Sequence, residues 1–172
     1  MKQIPTISGL KEIYNNYDIF LFDQWGVMHD GYSGYKKAIE CINKLIQSNK
    51  ILKIISNSSK RTNDSIKRLK ELGFEPNHFK KIVTSGEMIW QSILNKDYSF
   101  TENLGNKCFY IYDQSNSSGE KYIKDLKKLK FVDDINKADF ILGCTPFHNI
   151  KLIEYIPILQ SALKNELPFI CA

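Results

Sequence analysis

The carboxylate of Asp23 is the first candidate for a chemically active group in this sequence. It directly follows the apolar run Ile19–Phe22, whose composition is typical of a strand buried on both faces of a parallel sheet. Open α/β sheets bind their ligands at the carboxyl ends of such strands, and Gly26 lets the chain turn away sharply. A carboxylate placed there can attack phosphorus and form an aspartyl-phosphate, which water later cleaves. The alternative is an aspartate that only caps a turn.

A second polar group follows the next apolar run along the chain. Ser56 and Asn57 come at the end of the stretch 51–56 and ahead of a predicted helix. A hydroxyl and a free amide next to a helix amino terminus can hold a phosphate oxygen, although Ser and Asn are also the preferred helix caps. Because adjacent parallel strands end at the same sheet edge, we expect Asp23 and Ser56 to lie close together.

The residues that follow Asp23 are less suited to proton transfer. Trp25 can neither give nor take a catalytic proton. His29 and Asp30 precede Gly31, and a general base there is conceivable. A turn with Gly31 at positive φ is the favoured interpretation.

Three other groups are interpreted mainly as structural. Thr84 or Ser85 is predicted to cap a helix that carries Glu87 in its first turn. His148 begins the last long helix and could contact a substrate, although a lone histidine at a helix start is more often structural. No metal is assigned to the acidic residues among turn signals, Asp133, Asp134 and Asp139.

Short apolar runs alternate with helical periodicities along the chain, which predicts βαβ units and a mostly parallel α/β sheet. The polar stretch 96–106 is the predicted boundary between a first unit, 1–98, and a second unit, 99–172. Strands are predicted at 18–23, 51–56, 81–84, 107–112, 139–143 and 168–171, and helices near 34–48, 60–72 (ended by Gly73), 86–95, 118–129 and 149–164.

Composition excludes several classes of protein. The hydrophobic fraction of 42% and the charged fraction of 25% are typical of a globular domain. No apolar run approaches the roughly 20 residues that span a bilayer. The amino terminus lacks the apolar core of a signal peptide, so we expect a cytoplasmic protein without a membrane partner.

The charge and the cysteine content further restrict the functions that the chain could have. The net charge of +5 comes from 24 basic residues, but only Arg61 and Arg68 are arginines, so nucleic-acid binding is not expected. The four cysteines, Cys41, Cys108, Cys144 and Cys171, are too widely spaced for a metal site or a disulfide framework and are interpreted as reduced, mostly buried thiols.

Three segments together carry a family resemblance: YDIFLFDQWGVMHDG, ILKIISNSSKR and KKIVTSGEMIW. They resemble the haloacid dehalogenase superfamily of phosphohydrolases, most closely subclass IIA, whose members carry a C2-type cap. The first motif is similar to a branch that reads D-x-W-G-V-x-H-D-G. The stretch 137–172 resembles the first half of the cap. The resemblance implies a Rossmann-like core with helices on both faces of a parallel sheet over 1–98 and part of a C2-type α/β cap over 99–172.

The resemblance also implies roles for single residues. Asp23 would be the nucleophile and a Mg²⁺ ligand, and the backbone carbonyl of Trp25 would be a second ligand. Ser56 and the amide of Asn57 would bind the phosphoryl group of a small phosphorylated metabolite. Mg²⁺ would neutralise charge on the phosphate during in-line attack.

The sequence departs from the family pattern in two ways. Relatives usually carry an acidic residue at the position of Trp25, and that general acid is typically worth about 10²–10⁴-fold; Asp30 or a cap residue could replace it. No segment after residue 99 resembles the motifs that supply a phosphate-binding lysine and an acidic Mg²⁺ site. We therefore expect an amino-terminal fragment, weakly active or inactive alone, with a separately encoded carboxyl-terminal half or self-association as its partner.

Two alternatives remain open from the sequence. The fold could serve as a non-catalytic module that binds a phosphorylated ligand or a partner, with Trp25 stacking on the ligand. An unrelated flavodoxin-like or receiver-type domain could use Asp23 as phosphoacceptor, but the chain has no acidic pair ahead of that strand.

Overall fold

The computed structural model describes residues 6–115, 117–144 and 150–172. Over these ranges the chain forms two parallel sheets with helices packed on them. The strands are β1 (Ile19–Phe22), β2 (Ile51–Ser56), β3 (Phe79–Thr84), β4 (Lys107–Tyr112), β5 (Lys130–Phe131), β6 (Phe140–Cys144) and β7 (Phe169–Cys171). The α-helices are α1 (Lys36–Gln47), α2 (Thr62–Glu71), α3 (Ser85–Asn95), α4 (Ser99–Glu102), α5 (Ser118–Ile123) and α6 (Leu152–Lys164).

The chain divides into two compact units. The first contains the residues up to Ser56 together with Asn63–Val83, and the second contains Asn57–Thr62 together with Thr84–Ala172. The short segment after β2 and helix α3 therefore both belong to the second unit. The predicted core at 1–98 and cap at 99–172 stay a prediction.

The first unit is built on the sheet β1-β2-β3. β1 and β2 run parallel, with Phe20 opposite Leu52 and Phe22 opposite Ile54. These side chains pack in one cluster with the apolar faces of α1 and α2, along which apolar residues recur at helical spacing. The buried cluster consists of Phe20, Met28, Ile42, Leu45, Leu52, Ile54, Leu69, Leu72, Phe74 and Phe79.

The opposite face of this sheet is open, and the prediction that β1 is buried on both faces is wrong. Ile19 and Leu21 are 50% and 65% exposed, and Ile55 of β2 is 57% exposed. Side chains alternate between the two faces of a strand, so the three residues lie on one face. β1 also forms an edge of the sheet.

The second unit contains the sheet β5-β4-β6-β7, and all of its strand pairs are parallel. It is covered on both faces. One face packs against Trp90 of α3 and Tyr122 of α5. The other face contributes Ile111 and Ile141, which pack against Ala162 of α6. Runs of consecutive apolar residues in β4 and β6 are what such a doubly covered strand requires.

Most predicted elements are present, with shifts at their ends. β2 and β4 have the predicted bounds, and α2 is followed by Gly73 at φ 88°. α5 ends at Ile123 because the chain then turns tightly, with the amide of Leu126 donating to the Ile123 carbonyl oxygen at 3.0 Å. The predicted boundary 96–106 contains the short helix α4. Among the helices of the described residues, none has both the length and the apolar character needed to cross a bilayer.

Candidate active site

Asp23 and Ser56 end neighbouring parallel strands. Phe22 lies opposite Ile54 in the ladder; Asp23 follows Phe22 directly, and Ser56 closes β2 two residues beyond Ile54. The two residues therefore lie at the carboxyl ends of neighbouring strands, on the same side of the sheet, as the sequence predicted. Asp23 is exposed to solvent, whereas Ser56 is buried. An exposed carboxylate and a buried hydroxyl therefore follow each other at the carboxyl ends of two neighbouring strands.

A tight turn follows Asp23 and is organised by the main chain of Gln24. Its carbonyl oxygen accepts the amides of Val27, Met28 and His29 at 3.3, 2.8 and 3.4 Å. Gly26 has a φ of 76°, a conformation that favours glycine, and its amide donates to the His29 carbonyl oxygen at 2.8 Å. The fully buried Met28 side chain ties the turn to the core of the first unit.

The side chain of Gln24 anchors the same turn to α2, which the sequence did not predict. Gln24 and Ser65 are both buried, with 3.0 Å between Nε2 and the Ser65 Oγ and 3.2 Å between that Oγ and Oε1. Buried polar groups of this kind are costly to leave without a partner. No local pattern reveals a contact between residues 41 positions apart.

Trp25 is the most prominent side chain of the turn and is 67% exposed. Its ring lies edge-on to the ring of His29, with centroids 5.8 Å apart and an interplanar angle of 80°. Gly31, at φ 90°, sits against the same indole, and a Cβ there would lie 2.3 Å from its Cη2 atom. The predicted turn with Gly31 at positive φ is confirmed. His29 is buried, and its Nδ1 accepts the Gly31 amide at 3.1 Å.

Asp30 closes this turn. Its Oδ1 accepts the amides of Tyr32 and Ser33, both at 2.8 Å. The hydrogen bonds from Ser33 and then Tyr32 lower the pKa of Asp30 below its ordinary value. These contacts commit the Asp30 carboxylate to the turn, and its role as a replacement acid stays a prediction.

The segment after Ser56 is held by α3. Thr84 caps this helix, as predicted, and its Oγ1 accepts the Glu87 amide at 3.1 Å. The Arg61 guanidinium donates to both carboxylate oxygens of Glu87, from Nε at 2.7 Å and from Nη2 at 3.1 Å. Sequence reasoning assigned Glu87 only to the first turn of the helix and missed this pair. These hydrogen bonds from Arg61, with those from Gln91 and the Thr62 amide, lower the pKa of Glu87 from 4.5 to about 2.

This pair predicts an acid-dependent loss of stability. Because the folded pKa of Glu87 is lowered, its contribution is fully present above pH 4.5 and is lost as the pH falls towards 2. We expect wild type to exceed Glu87→Gln in unfolding free energy by about 1–3 kcal/mol at pH 7, with the difference shrinking towards pH 2.5. Urea denaturation at several pH values measures it. Parallel pH profiles for the two proteins would contradict the assignment.

Oxygen donors for a divalent cation are present beside the nucleophile candidate. The exposed Asp23 carboxylate and the Trp25 carbonyl are hard oxygen ligands, and Mg²⁺ is commonly held by one or two carboxylates with water completing its shell. The donor chemistry therefore fits the predicted ion. In the described part of the chain, no group of three or more His, Cys, Asp or Glu side chains could hold a metal by itself.

Two of the remaining acidic candidates hold the main chain of nearby segments. Asp134 accepts the Asn136 amide at 3.0 Å at the start of a short 3-10 helix. Asp139 accepts the amides of Asn106 and Lys107 at 2.9 and 2.8 Å and thereby joins the starts of β4 and β6. His148 lies outside the described residues. Cys108 and Cys144 are buried, as predicted, while Cys171 is exposed.

The parallel sheets with helices packed on them define an α/β fold of the Rossmann-like class. The family of haloacid dehalogenase-like hydrolases matches residues 20–115, more than half of the chain. The chain belongs to this family. This membership excludes the alternative of an unrelated flavodoxin-like or receiver-type domain.

Solved structures share the fold at low sequence identity. A haloacid dehalogenase-like hydrolase from Brucella suis has a TM-score of 0.78 and 22% identity, over 94% of this chain and 56% of that one. Glycerol phosphate phosphatase from Mycobacterium tuberculosis, in complex with calcium, has a TM-score of 0.57 and 15% identity, over 92% and 43%. A Caenorhabditis elegans protein that carries the name NipSnap is 40% identical over 65 residues, 37% of this chain and 12% of that protein. The chain thus spans about half the length of the hydrolase structures it matches.

Proposed function

We propose that the chain carries the nucleophile and the phosphoryl-binding loop of a phosphohydrolase that acts on a small phosphorylated metabolite. Asp23 is the nucleophile, and Ser56 with the amide of Asn57 binds the transferring group. The observation that supports this most is that Asp23 and Ser56 end adjacent parallel strands at one sheet edge, in a chain of the haloacid dehalogenase-like family. A cytoplasmic site of action is part of the proposal, on composition alone.

The reaction proceeds in two displacements. An Asp23 carboxylate oxygen attacks phosphorus in line with the ester oxygen, forming an O–P bond as the ester oxygen leaves with its electron pair. Water then attacks the phosphorus of the aspartyl-phosphate, which releases inorganic phosphate and restores the carboxylate. The Ser56 hydroxyl donates to a phosphoryl oxygen throughout. Mg²⁺, held by Asp23 and the Trp25 carbonyl, would neutralise phosphate charge when bound.

Trp25 gives this site a preference among leaving groups. The indole has no proton to transfer, Asp30 is held as an ionised turn acceptor, and His29 is buried. An alkoxide that leaves without protonation is a poor leaving group, whereas an aryl oxide or a carboxylate needs little help. Aryl phosphates and acyl phosphates are therefore better substrates than alkyl phosphates.

Hydrolysis of esters with different leaving groups tests this proposal. With Mg²⁺ present, we expect p-nitrophenyl phosphate to turn over at least about 10²-fold faster than glycerol phosphate. Chelation of the metal should abolish both reactions, and Mg²⁺ should restore them. Equal rates with and without the metal would contradict the proposed chemistry.

Substitutions at Trp25 provide a matched pair. Trp25→Asp supplies a carboxylic acid and should raise glycerol phosphate hydrolysis by about tenfold or more, while changing aryl ester hydrolysis little. Trp25→Asn introduces a side chain of nearly the same volume as aspartate but without an acidic proton, and it should give no gain. A gain with both variants would show that the indole only obstructs the site.

The proposal includes a second component for full activity. The chain matches about half of the Brucella suis hydrolase, and the outer face of β1 is apolar and exposed. We infer that a polypeptide corresponding to the rest of that fold completes the sheet and supplies a lysine and further Mg²⁺ ligands. The second unit would serve as part of a C2-type cap. The chain alone is then weakly active or inactive, and its open face drives self-association.

A non-catalytic role is the second candidate. The exposed Trp25 indole offers a flat surface on which an aromatic ligand can stack. This role predicts phosphate-ester binding that Trp25→Ala weakens, with no turnover that depends on Asp23.

A further inference from the structure

The backbone of the segment 57–62, here called the phosphate loop, is hydrogen-bonded to residues at the start of α3. The Ser58 carbonyl oxygen accepts the Gly86 amide at 3.0 Å and the Ser85 hydroxyl at 3.1 Å. Two donors on one oxygen orient that peptide firmly, because each hydrogen bond restricts its rotation. The loop begins with Asn57, so these contacts hold the residue next to the Asn57 amide.

The contact between the loop and α3 is unusually close. A Cβ on Gly86 would lie 2.1 Å from the Ser59 carbonyl oxygen and 2.3 Å from its carbonyl carbon, so only glycine allows this approach. The Thr84 hydroxyl donates to the Lys60 carbonyl oxygen at 2.6 Å. Residues at the start of α3 thus donate hydrogen bonds to the carbonyl oxygens of Ser58 and Lys60 and lie directly against the one between them.

One side-chain pair locks the end of the loop. Arg61 forms its two hydrogen bonds with Glu87 while its guanidinium carbon lies 3.5 Å from the centroid of the Trp90 ring. The same Glu87 carboxylate accepts the Thr62 amide at 3.1 Å. Paired, planar, charge-assisted contacts are more directional than a single ion pair. Glu87 therefore holds both the side chain and the main chain of the loop end.

We propose that Glu87, acting through Arg61, is a positioning residue that holds the phosphate loop in the shape that presents the Asn57 amide to phosphate. Neither side chain touches the phosphoryl group. A loop that is already ordered binds an anion without the entropy loss of ordering several residues. This inference rests on the proposed function, because it assigns a role within the same phosphate site.

Amide hydrogen exchange of the free chain tests the clamp without any ligand. Glu87→Gln and Arg61→Ala should each speed exchange of the amides at 58–61 by about tenfold or more beyond any change at the amides of β4 and β6, which report the global loss of stability. Because the two side chains act as one pair, the double variant should exchange little faster than either single variant. Unchanged exchange in both single variants would overturn the proposal.

Titration with inorganic phosphate in the presence of Mg²⁺, followed by the NMR shift of the Asn57 amide, tests the link to binding. Glu87→Gln should raise the dissociation constant about tenfold while leaving the Asn57 shift at saturation unchanged. Glu87→Asp, which keeps the charge, should recover part of that affinity. Wild-type affinity in a variant whose loop exchanges faster would overturn the proposal.

Two comparisons separate the possible failures. Glu71→Gln breaks another Arg–Glu pair, Arg68–Glu71, which is exposed and lies on α2, and it should change neither the loop exchange nor the phosphate affinity. If the wild-type Asn57 amide does not respond to phosphate, the proposed phosphate site fails, and the role of Glu87 falls with it. If wild type responds and Glu87→Gln is unaltered, only the clamp fails.

Discussion

In the assembly that the proposed function requires for full activity, replacing Asp23 by asparagine is expected to reduce phosphate-ester turnover by at least about 10³-fold. The neutral amide is a far poorer nucleophile than a carboxylate oxygen and cannot form an aspartyl-phosphate. The same substitution removes a charged ligand from the proposed Mg²⁺ site. Both losses act on the same displacement step, so the effect on the rate should exceed that of removing a single phosphate contact.

Asp30→Asn is the matched control for this prediction. Both carboxylates lie in the segment after β1, but the Asp30 carboxylate is occupied by the amides of Tyr32 and Ser33. An asparagine carbonyl oxygen can accept the same amides, so turnover should stay within a few-fold of wild type. Similar losses in the two variants would show that a disturbed turn, rather than a missing nucleophile, lowers the rate.

A test that does not depend on turnover accompanies the kinetic one. Beryllium fluoride forms a phosphate-like adduct on an aspartate carboxylate, and we expect a fluorine NMR signal from wild type with Mg²⁺. The signal should be absent from Asp23→Asn and present in Asp30→Asn. An adduct that persists in Asp23→Asn would place the nucleophile elsewhere in the chain.

The strands that carry the candidate site could be predicted from the sequence because they depend on local patterns. β2 and β4 are apolar runs flanked by polar turn formers, and both have the predicted bounds. Asp23 and Ser56 were assigned to one sheet edge from chain order and the parallel-strand rule alone. β5 was missed because its two residues, Lys130 and Phe131, are too few to show any alternation.

The contacts that hold the loop after Ser56 could not be predicted from the sequence, because they join residues that are far apart along the chain. Arg61 and Glu87 are 26 positions apart, and neither position has a pattern that indicates its partner. The glycine at position 86 was a signal that went unused: a glycine in the first turn of a helix already capped by Thr84 indicates that another backbone passes nearby.

The exposure of β1 could not be foreseen for a different reason. An apolar run indicates that a strand can be buried on both faces, but not what covers each face. In this chain α1 and α2 cover one face only. Ile19 and Leu21 of β1 and Ile55 of β2 remain exposed. β1 is an edge strand, and its outer backbone groups have no neighbouring strand among the described residues.

That open face leads to the second prediction, in which the purified chain self-associates through the first unit. Exposed apolar strand edges are templates for pairing with another chain. We expect sedimentation velocity at about 10–100 μM to show dimers or larger species, and Leu21→Lys to convert most of the material to monomer. A lysine on an edge strand opposes pairing by its charge and its strong hydration.

Leu163→Lys is the control for this effect, because Leu163 is also exposed but lies on α6 in the second unit. If association depends on the β1 face, this variant should sediment as wild type does. A monomeric wild type at every concentration, or equal dissociation by both variants, would contradict the role of that face. Adding a polypeptide that completes the sheet should compete with self-association, since both would bury Ile19 and Leu21. The proposed function predicts that the same titration raises phosphate-ester turnover as the oligomers disappear.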